Sequence, residues 1–352
     1  MTSGVHQVLA GVAGRDAISN HAREAQRVIR SMGLRSEIFV DDGHISPQLA
    51  TVVHAHYDWS AVTQPEDVAI LHYSIDSPAF EHVLTRVRAA AVHYHNVTPP
   101  ELLWRDMPHL AAQCRDGRER LARLSGRVVA SAADSEFNGR EMEAVGLPPA
   151  SVVGILRQTL AIPSPTERGR GPLRMLFVGR GVPNKCQHDL ILTAGAMLEA
   201  GHDVQLRLVG SWGGTRAYLE RCRRLIRSLS IESEVVILDS VDDDELAREY
   251  AEADVFVCLS EHEGYCVPLL EAMSAELPIV AFDAGAVPET LGSAGLLLND
   301  KTPSLVAEAV AAVAGGALAD TMASGRKGQL AHHSSAATAT RLKRFVEDLT
   351  QC

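Results

Sequence analysis

Two glutamates that lie eight residues apart, Glu263 and Glu271, are the residues of this sequence best placed for chemistry. Residues 254–259 before them are mostly apolar and predict a buried parallel strand. Pro268 favours the first position of a helix, so the stretch predicts a strand, a glycine turn and a helix. Such a turn lies at the carboxyl edge of a parallel sheet, where ligands bind, and the helix amino terminus attracts an anion such as phosphate. The two carboxylates could then hold hydroxyl groups of the same ligand. In the alternative interpretation, Glu263 is a solvated loop charge and Glu271 only complements the helix dipole.

A second glycine turn, formed by Gly179 and Gly181, carries two cations. It lies between a predicted strand and a predicted helix, which places it at the same sheet edge as the glutamates. Arg180 offers a planar fork of donors and Lys185 a point charge, a combination that suits a diphosphate. The turn is neither a Walker P-loop nor a complete G-x-G-x-x-G, so the alternative is a surface turn with two solvated cations.

Predicted strands and helices alternate along the chain in two series. The predicted strands are residues 6–12, 37–40, 68–72, 89–94, 128–131, 174–178, 205–209, 235–238, 254–259 and 279–281. The predicted helices are residues 17–32, 50–56, 102–124, 187–200, 216–229, 243–253, 268–275, 303–313 and 342–349. Residues 163–172 are rich in proline, glycine and charge and predict a linker. Two such series predict an α/β fold of two doubly wound, Rossmann-like domains that face a central cleft. The predicted domains are residues 1–162 and 173–334, followed by a last helix within 335–352.

The composition limits the class of protein. The 352 residues are 46% hydrophobic and 22% charged, which is typical of a globular protein. A net charge of −11 argues against nucleic-acid binding. No apolar run has the length of a transmembrane helix, and the first residues do not resemble a signal peptide. The six cysteines show no C-x-x-C spacing, which predicts reduced thiols and a cytoplasmic location.

Two pairs of histidines have the i, i+2 spacing that puts both imidazoles on one side of a strand: His54 with His56, and His93 with His95. This spacing is compatible with a metal site, but neither pair has an adjacent acidic or cysteine ligand, so no metal is expected. The acidic run 242–245 is interpreted as a helix cap and first-turn charge and not as a metal site.

Three segments resemble glycosyltransferase family 4, whose members are retaining transferases with the GT-B fold. They match the family's motifs in order and spacing: Phe177-Val-Gly-Arg-Gly-Val-Pro-Asn-Lys185, Glu263-Gly-Tyr-Cys-Val-Pro-Leu-Leu-Glu271 and Pro278-Ile-Val-Ala-Phe-Asp-Ala-Gly-Ala-Val-Pro-Glu289. Residues 14–19 and 94–100 agree more loosely, so the resemblance covers nearly the whole chain.

The resemblance implies a role for each residue that matches a motif. Arg180 and Lys185 would bind the diphosphate of the donor, and Glu271 would bond the ribose hydroxyls. Glu263 and the backbone of Gly264, Tyr265, Cys266 and Val267 would hold the transferred sugar. Gly14 would let its loop approach the phosphates, and His95 would lie beside the reacting carbon as a catalytic residue. No metal or other cofactor is expected, since the family is metal-independent. The last helix is expected to cross back to the first domain.

Two residues depart from the family pattern. Cys266 stands where a second glycine is common, and Tyr265 replaces a common phenylalanine. A cysteine restricts the backbone near the sugar, which leaves the donor preference open. Because no base follows it in the sequence, Cys266 is interpreted as a packing residue and not as a nucleophile.

The resemblance implies transfer of a hexose-type sugar from a nucleotide diphosphate donor, with UDP favoured, to an acceptor hydroxyl with retention of configuration. No carboxylate is an evident nucleophile, so the implied route is a front-face one in which the leaving phosphate deprotonates the acceptor. The residues assigned to the acceptor side are His72, Tyr73, Ser74 and Asn96.

The favoured acceptor is a small polar molecule such as a polyol, an aminocyclitol or a natural-product aglycone. Peripheral membrane contact through Arg23, Arg27 and Arg30 is not favoured, because the net charge of −11 repels anionic lipid. Two alternatives stay open at this point: a GT-B nucleotide-sugar epimerase, and a non-catalytic subunit that binds a sugar nucleotide.

Overall fold

The computed structural model describes residues 4–13, 16–41, 43, 51–163 and 171–351. The chain divides into two compact units. The first unit consists of residues 1–97, 112–158 and 333–352, and the second of residues 98–111 and 159–332.

The first unit contains a parallel sheet of seven strands in the order β3-β2-β1-β4-β5-β6-β7. Its strands are β1 (Val5–Leu9), β2 (Ile38–Val40), β3 (His54–Ala55), β4 (Val68–Tyr73), β5 (Ala90–Tyr94), β6 (Ala130–Ala133) and β7 (Ala150–Val152). The helices between them are α1 (Ala17–Ser31), α2 (Trp59–Val62), α3 (Pro78–Leu84), α4 (Pro108–Leu121) and α5 (Glu136–Ala144). β1, β4 and β5 consist of buried residues throughout, as expected of parallel strands that are covered on both faces.

The second unit contains a parallel sheet of six strands in the order β10-β9-β8-β11-β12-β13. Its strands are β8 (Leu173–Val178), β9 (Val204–Val209), β10 (Val235–Leu238), β11 (Val255–Cys258), β12 (Ile279–Phe282) and β13 (Leu296–Leu298). Its helices are α6 (Gln187–Glu199), α7 (Arg216–Leu229), α8 (Asp243–Glu252), α9 (Val267–Ser274), α10 (Val287–Leu291), α11 (Pro303–Ala314) and α12 (Ala319–His332). All ten strands predicted from the sequence are present, with small shifts at their ends. Both sheets have the doubly wound α/β arrangement that was predicted.

The last helix, α13 (Ser335–Gln351), belongs to the first unit. Its buried face is formed by Leu342, Phe345, Val346 and Leu349, which join a hydrophobic cluster with residues of β1, α1 and β4. The apolar face that the sequence shows at the end of the chain thus packs into the core of the first unit.

One predicted element is wrong in type. The sequence predicted a helix at 50–56, but His54–Ala55 form β3 and pair in parallel with Phe39 and Val40 of β2. Residue 50 lies outside the described part of the chain. The β-branched residues Val52 and Val53 disfavour a helix here, and the tertiary pairing with β2 decides for a strand.

Residues 98–111 were assigned to the first domain from the sequence, whereas the structure groups them with the second unit. Within that unit, Arg221 of α7 donates to Asp106 at 3.0 Å, and the Asp106 side chain is only 9% exposed. This ion pair links the segment to α7. The predicted linker at 163–172 lies mostly outside the described residues.

The acidic run at 242–245 caps a helix, as predicted. Asp242 precedes α8, and its carboxylate accepts a hydrogen bond of 2.8 Å from the backbone N–H of Glu245. Asp243, Asp244 and Glu245 all lie in the first turn of α8, where negative charge complements the helix dipole.

His6 is a buried histidine of β1 whose two ring nitrogens are both bonded. Nε2 lies 3.0 Å from the Asp67 carboxylate, and Nδ1 accepts from the backbone N–H of Glu37 at 3.0 Å. The second bond requires a lone pair on Nδ1, so the proton is on Nε2. Burial lowers the pKa of His6, while the hydrogen bond and charge of Asp67 oppose the shift and the nearby Arg35 adds to it.

Among the described residues, no single helix combines the length and apolar character needed to cross a membrane. Taken as a pair bent by 88°, α11 and residues 319–351 pass that test by length and composition only.

Candidate active site

The site built by the second unit centres on the loop between β11 and α9. Glu263 lies in this loop with its side chain only 9% exposed. Its backbone C=O accepts from the N–H of Ala286 at 2.9 Å. Gly285, with φ of 57°, approaches so closely that a Cβ there would lie 2.4 Å from the Glu263 carbonyl oxygen. Only glycine fits at this contact, so the β12–α10 loop fixes the position of Glu263.

Lys185 and Glu263 form an ion pair at this loop, with 2.6 Å between Nζ and Oε2. Lys185 ends a 3₁₀ turn, Pro183–Lys185, that precedes α6. Burial has the largest single effect on the pKa of Lys185 and lowers it, but the charge and hydrogen bond of Glu263, together with Cys266 and Cys258, outweigh burial and raise the pKa above its ordinary value. Lys185 therefore carries a positive charge that Glu263 neutralises within the protein. The sequence predicted both residues for one ligand, and the structure brings them together.

Glu271 is the fifth of the eight residues of α9. The hydroxyl of Tyr250, at the end of α8, donates to its Oε2 at 2.7 Å. Tyr250 itself is fully buried, so it holds the carboxylate in a fixed orientation. The sequence analysis missed Tyr250, and a tyrosine near the end of an acidic helix gave no signal of this contact.

Arg180 is exposed, and its side chain makes no ion pair or hydrogen bond with the described residues. Its backbone is held nevertheless, because Gln187 donates to the Arg180 carbonyl at 2.9 Å. Gly181 next to it packs under Trp212: a Cβ would lie 2.2 Å from the indole ring. The backbone of the turn is thus held in place while the guanidinium is exposed, and the convergence of Arg180 and Lys185 on a diphosphate stays a prediction.

Cys266 immediately precedes α9 in the left-handed conformation, with φ of 65°. This conformation favours glycine, so the backbone is the one that the family's glycine would adopt, although a cysteine occupies it. The thiol is buried and lies 3.9 Å from the thiol of Cys258. The contact with Cys258 and burial both raise the pKa of Cys266 well above its ordinary value. A buried, protonated thiol agrees with the interpretation of Cys266 as a packing residue.

The other predicted loop residues are buried or half-buried. Tyr265 is 3% exposed, and its carbonyl accepts from the Thr290 hydroxyl of α10. Gly264 and Val267 are half-buried, so they line the loop beside the buried Glu263. Gly14, the first-unit residue predicted to approach the phosphates, lies outside the described residues.

The residues assigned to the acceptor side lie at the carboxyl ends of β4 and β5 in the first unit. Tyr73 is 1% exposed, and its hydroxyl donates to the backbone of Gly117 at 2.7 Å. It is a core residue and not a lining residue, which corrects the sequence-based assignment. Ser74 is half-buried. Asn96 has φ of 74° and donates to Asn138 and Glu141 at 2.8 and 2.9 Å.

His72 and His95 are also enclosed. The ring of His95 has no exposed surface and is bonded on both sides, to Asp134 at 2.9 Å and to His72 at 2.8 Å. His72 is 2% exposed. The sequence predicted these two side chains at one sheet edge, and the structure places them there, but as parts of a buried network. Asp134 was missed, because its place directly after β6 becomes informative only when β5 and β6 are known to be neighbours.

Comparison with known proteins agrees with this fold. Residues 172–316 match the family described as "Glycosyl transferases group 1". The chain is 31% identical over 201 residues to D-inositol 3-phosphate glycosyltransferase of Corynebacterium efficiens, covering 53% of this chain and 46% of that protein. It is 29% identical over 289 residues to the enzyme of the same name from Kineococcus radiotolerans, covering 72% of this chain and 60% of that protein. The aligned region thus spans about half the length of these curated relatives.

Among solved structures, a sucrose-phosphate synthase from Thermosynechococcus elongatus has a TM-score of 0.77 with 15% identity, and each chain covers 99% of the other. The Anabaena protein HepE in complex with UDP and glucose has a TM-score of 0.75 with 15% identity, covering 98% of this chain and all of that one. At this identity the likeness concerns the fold alone.

Proposed function

We propose that this chain, which is similar to glycosyltransferases of the GT-B fold, moves a hexose-type sugar from a nucleotide diphosphate donor to an acceptor hydroxyl. The observation that carries this proposal is the Lys185–Glu263 ion pair at the turn before α9, together with Glu271 of α9, whose carboxylate is held by Tyr250 of α8. One cation and two carboxylates there match the three parts of a sugar nucleotide: diphosphate, sugar and ribose.

Each side chain has a distinct part in donor binding. The diphosphate takes the place of Glu263 on Lys185, with the exposed Arg180 and the α9 amino terminus as further positive partners. Glu263, released from Lys185, then accepts hydrogen bonds from the sugar hydroxyls. Glu271, oriented by Tyr250, accepts from the ribose hydroxyls. Exchange of one anion for another on Lys185 keeps the half-buried ammonium paired, while the released Glu263 carboxylate depends on hydrogen bonds from the sugar hydroxyls.

The same groups favour departure of the nucleotide. Negative charge develops on the diphosphate as the glycosidic bond breaks, and Lys185 and Arg180 stabilise it. We propose the front-face route, in which the leaving phosphate takes the proton of the acceptor hydroxyl, and retention of configuration. These cations suffice to neutralise the diphosphate, so added Mg²⁺ is not needed for donor binding. A UDP affinity that depends on Mg²⁺ would contradict this part of the proposal.

We favour UDP as the nucleotide and a small polyol as the acceptor. HepE is a structural neighbour solved with UDP-glucose, which supports UDP. Two relatives named D-inositol 3-phosphate glycosyltransferase support a polyol acceptor. A related protein from Mycobacterium tuberculosis is named as GDP-mannose-dependent, so GDP-mannose is the donor to compare with UDP-sugars.

The test is a thermal-shift screen of the purified chain with UDP-, GDP-, dTDP- and ADP-sugars, followed by turnover of the tightest binder with inositol phosphates and other polyols. A ligand at a hundredfold excess over its Kd stabilises the folded state by about 2.7 kcal/mol, which is readily measured. We expect a UDP-sugar to give the largest shift and product to form only when an acceptor is present. Conversion of the sugar nucleotide without acceptor would show an epimerase, and binding without turnover a non-catalytic subunit.

A further inference from the structure

Four histidines of the first unit meet in its interior. His21 comes from α1, His72 from β4, and His93 and His95 from the carboxyl end of β5 and the residue after it. One ring nitrogen from each lies within 4.8 Å of the others. All four residues are buried, and the imidazoles of His93 and His95 are 1% and 0% exposed. We call these residues the histidine cluster. They are separated by up to 74 positions in sequence and meet only because β1, β4 and β5 are neighbours.

Three of the four rings have one nitrogen tied to a hydrogen-bond acceptor outside the cluster. Asp134 accepts from Nε2 of His93 at 2.9 Å and from Nδ1 of His95 at 2.9 Å. Nε2 of His72 lies 2.9 Å from Oε1 of Gln7. The amide orientation of Gln7 is fixed because its NH₂ group donates to the backbone of Ala22 at 2.9 Å. Each of these three rings therefore carries a proton on its outer nitrogen.

The inner nitrogens of the same rings are then lone pairs that face one another. Nδ1 of His72 and Nε2 of His95 are 2.8 Å apart in rings whose planes differ by 5°. Two lone pairs cannot meet head-on at this distance, so the arrangement needs a positive species between them. Without a metal this is an extra proton shared by the two rings. The inner nitrogen of His93, Nδ1, has no hydrogen-bond partner among the described residues.

From this geometry we propose that the histidine cluster binds a divalent transition-metal ion of the zinc class through Nδ1 of His72, Nδ1 of His93 and Nε2 of His95. The ion replaces the extra proton and satisfies the unpartnered nitrogen of His93. This set of three imidazoles with open coordination is one that Zn²⁺ accepts, whereas Mg²⁺ and Ca²⁺ prefer oxygen ligands.

His21 supplies a donor to the fourth position. Its Nδ1 accepts from the backbone N–H of Leu156 at 2.9 Å, so its proton is on Nε2. That N–H is buried and has no partner among the described residues. A water or hydroxide bound as the fourth ligand would accept this hydrogen bond. His21 is therefore a positioning residue for the fourth ligand and not itself a ligand.

The surroundings are those of a metal site. Asp134 holds two of the three ligands from outside, which fixes their tautomers and raises their basicity. Tetrahedral Zn–N bonds of about 2.0–2.1 Å place the nitrogens about 3.3 Å apart, so His72 and His95 would separate by roughly half an ångström. The ion would link β4 to β5 within the core of the first unit.

This inference does not rest on the proposed function, because every residue concerned belongs to the first unit, whereas Lys185, Glu263 and Glu271, which carry that proposal, belong to the second. The untagged full-length chain is the sample, refolded with Zn²⁺ or with Co²⁺ as the probe and then freed of loose metal. Elemental analysis should give about one ion per chain. The Co²⁺ form should show visible bands of tetrahedral nitrogen ligation. It should lack the near-ultraviolet thiolate band that binding to Cys258 and Cys266 of the second unit would produce.

Two variants and a control locate the site. His93→Ala removes a ligand and should abolish stoichiometric metal. Asp134→Asn keeps all three ligands and should weaken binding about 10–100-fold, measured by competition with a chromophoric chelator. The exposed His109→Gln should bind as the wild type does. A folded wild-type chain that takes up neither ion would show that the cluster holds a proton instead. Metal that persists in both cluster variants, or a thiolate band, would place the metal site elsewhere. Either result overturns the proposal.

Discussion

Replacement of Lys185 by alanine is the sharpest test of the donor site. In the folded protein its ammonium is 2.6 Å from Glu263, a carboxylate that is only 9% exposed. Lys185→Ala removes a charge-assisted hydrogen bond to the diphosphate, worth about 1.5–3 kcal/mol. It also leaves the buried Glu263 without its cation, and that carboxylate then repels the incoming diphosphate. Since each 1.4 kcal/mol is tenfold in affinity, the Kd for UDP should rise about 10–150-fold.

A second substitution separates these two effects. Glu263→Gln frees Lys185 from its partner, so it should bind UDP at least as tightly as the wild type but lose the preference for the sugar nucleotide. In the double variant Lys185→Ala/Glu263→Gln the repulsion is absent, so its affinity for UDP should lie between those of the wild type and Lys185→Ala.

Titration calorimetry with UDP and UDP-glucose at one fixed salt concentration measures all four proteins, and circular dichroism confirms that each is folded. Arg174→Ala is the control, because Arg174 forms a half-exposed ion pair with Glu252 in the same unit and should leave both affinities unchanged. Unchanged UDP affinity in folded Lys185→Ala would refute the assignment of Lys185 to the diphosphate. An equal loss of UDP affinity in Glu263→Gln would refute the exchange of anions on Lys185.

Three further predictions concern stability and are read from urea unfolding. Because burial lowers the pKa of His6, the unfolded chain takes up a proton below about pH 6.5 more readily than the folded chain does. As the pH falls to about 5, the free energy of unfolding of the wild type should therefore fall by up to about 1.4 kcal/mol more per pH unit than that of His6→Gln. The exposed His109→Gln should keep the wild-type slope. Equal slopes for wild type and His6→Gln would contradict the burial of a neutral ring. At Cys266, where φ is 65°, the glycine variant should be about 1 kcal/mol more stable than the alanine variant, and the reverse order would contradict the left-handed backbone. Phe345→Ala should cost about 3–5 kcal/mol and the exposed Arg344→Ala less than about 0.5, and a similar small effect for both would argue against packing of α13 in the first unit.

The sequence by itself determined the class of fold and the positions of most elements. Runs of apolar residues such as 68–72 and 254–259 predict buried parallel strands, because a strand covered on both faces has no polar side. Local capping residues likewise predict where helices begin, as Asp242 does for α8. Some elements were missed although their signals are local: Ser77 and Ser135 cap α3 and α5 through their own side chains. The shortest strands, β3, β7 and β13, were missed because two or three residues carry no measurable period.

The motif residues of the donor site were also identified from sequence, since each lies at a glycine turn beside a predicted strand. Their partners were not. That Lys185 pairs with Glu263 across 78 positions depends on β8 and β11 being neighbours in the sheet. That Glu271 is oriented by Tyr250 depends on how α8 packs beside α9.

The histidines show most clearly what only the tertiary structure decided. The i, i+2 spacing of His93 and His95 was visible in the sequence, and the lack of a nearby acidic ligand argued against a metal. Folding supplies Asp134 from β6, His72 from β4 and His21 from α1, all remote in sequence. Local periodicity tells which side chains share a face of one strand, but strand order alone decides which faces meet. The chemistry of a buried cluster is therefore set by the order β1-β4-β5-β6, which no single segment of the chain encodes.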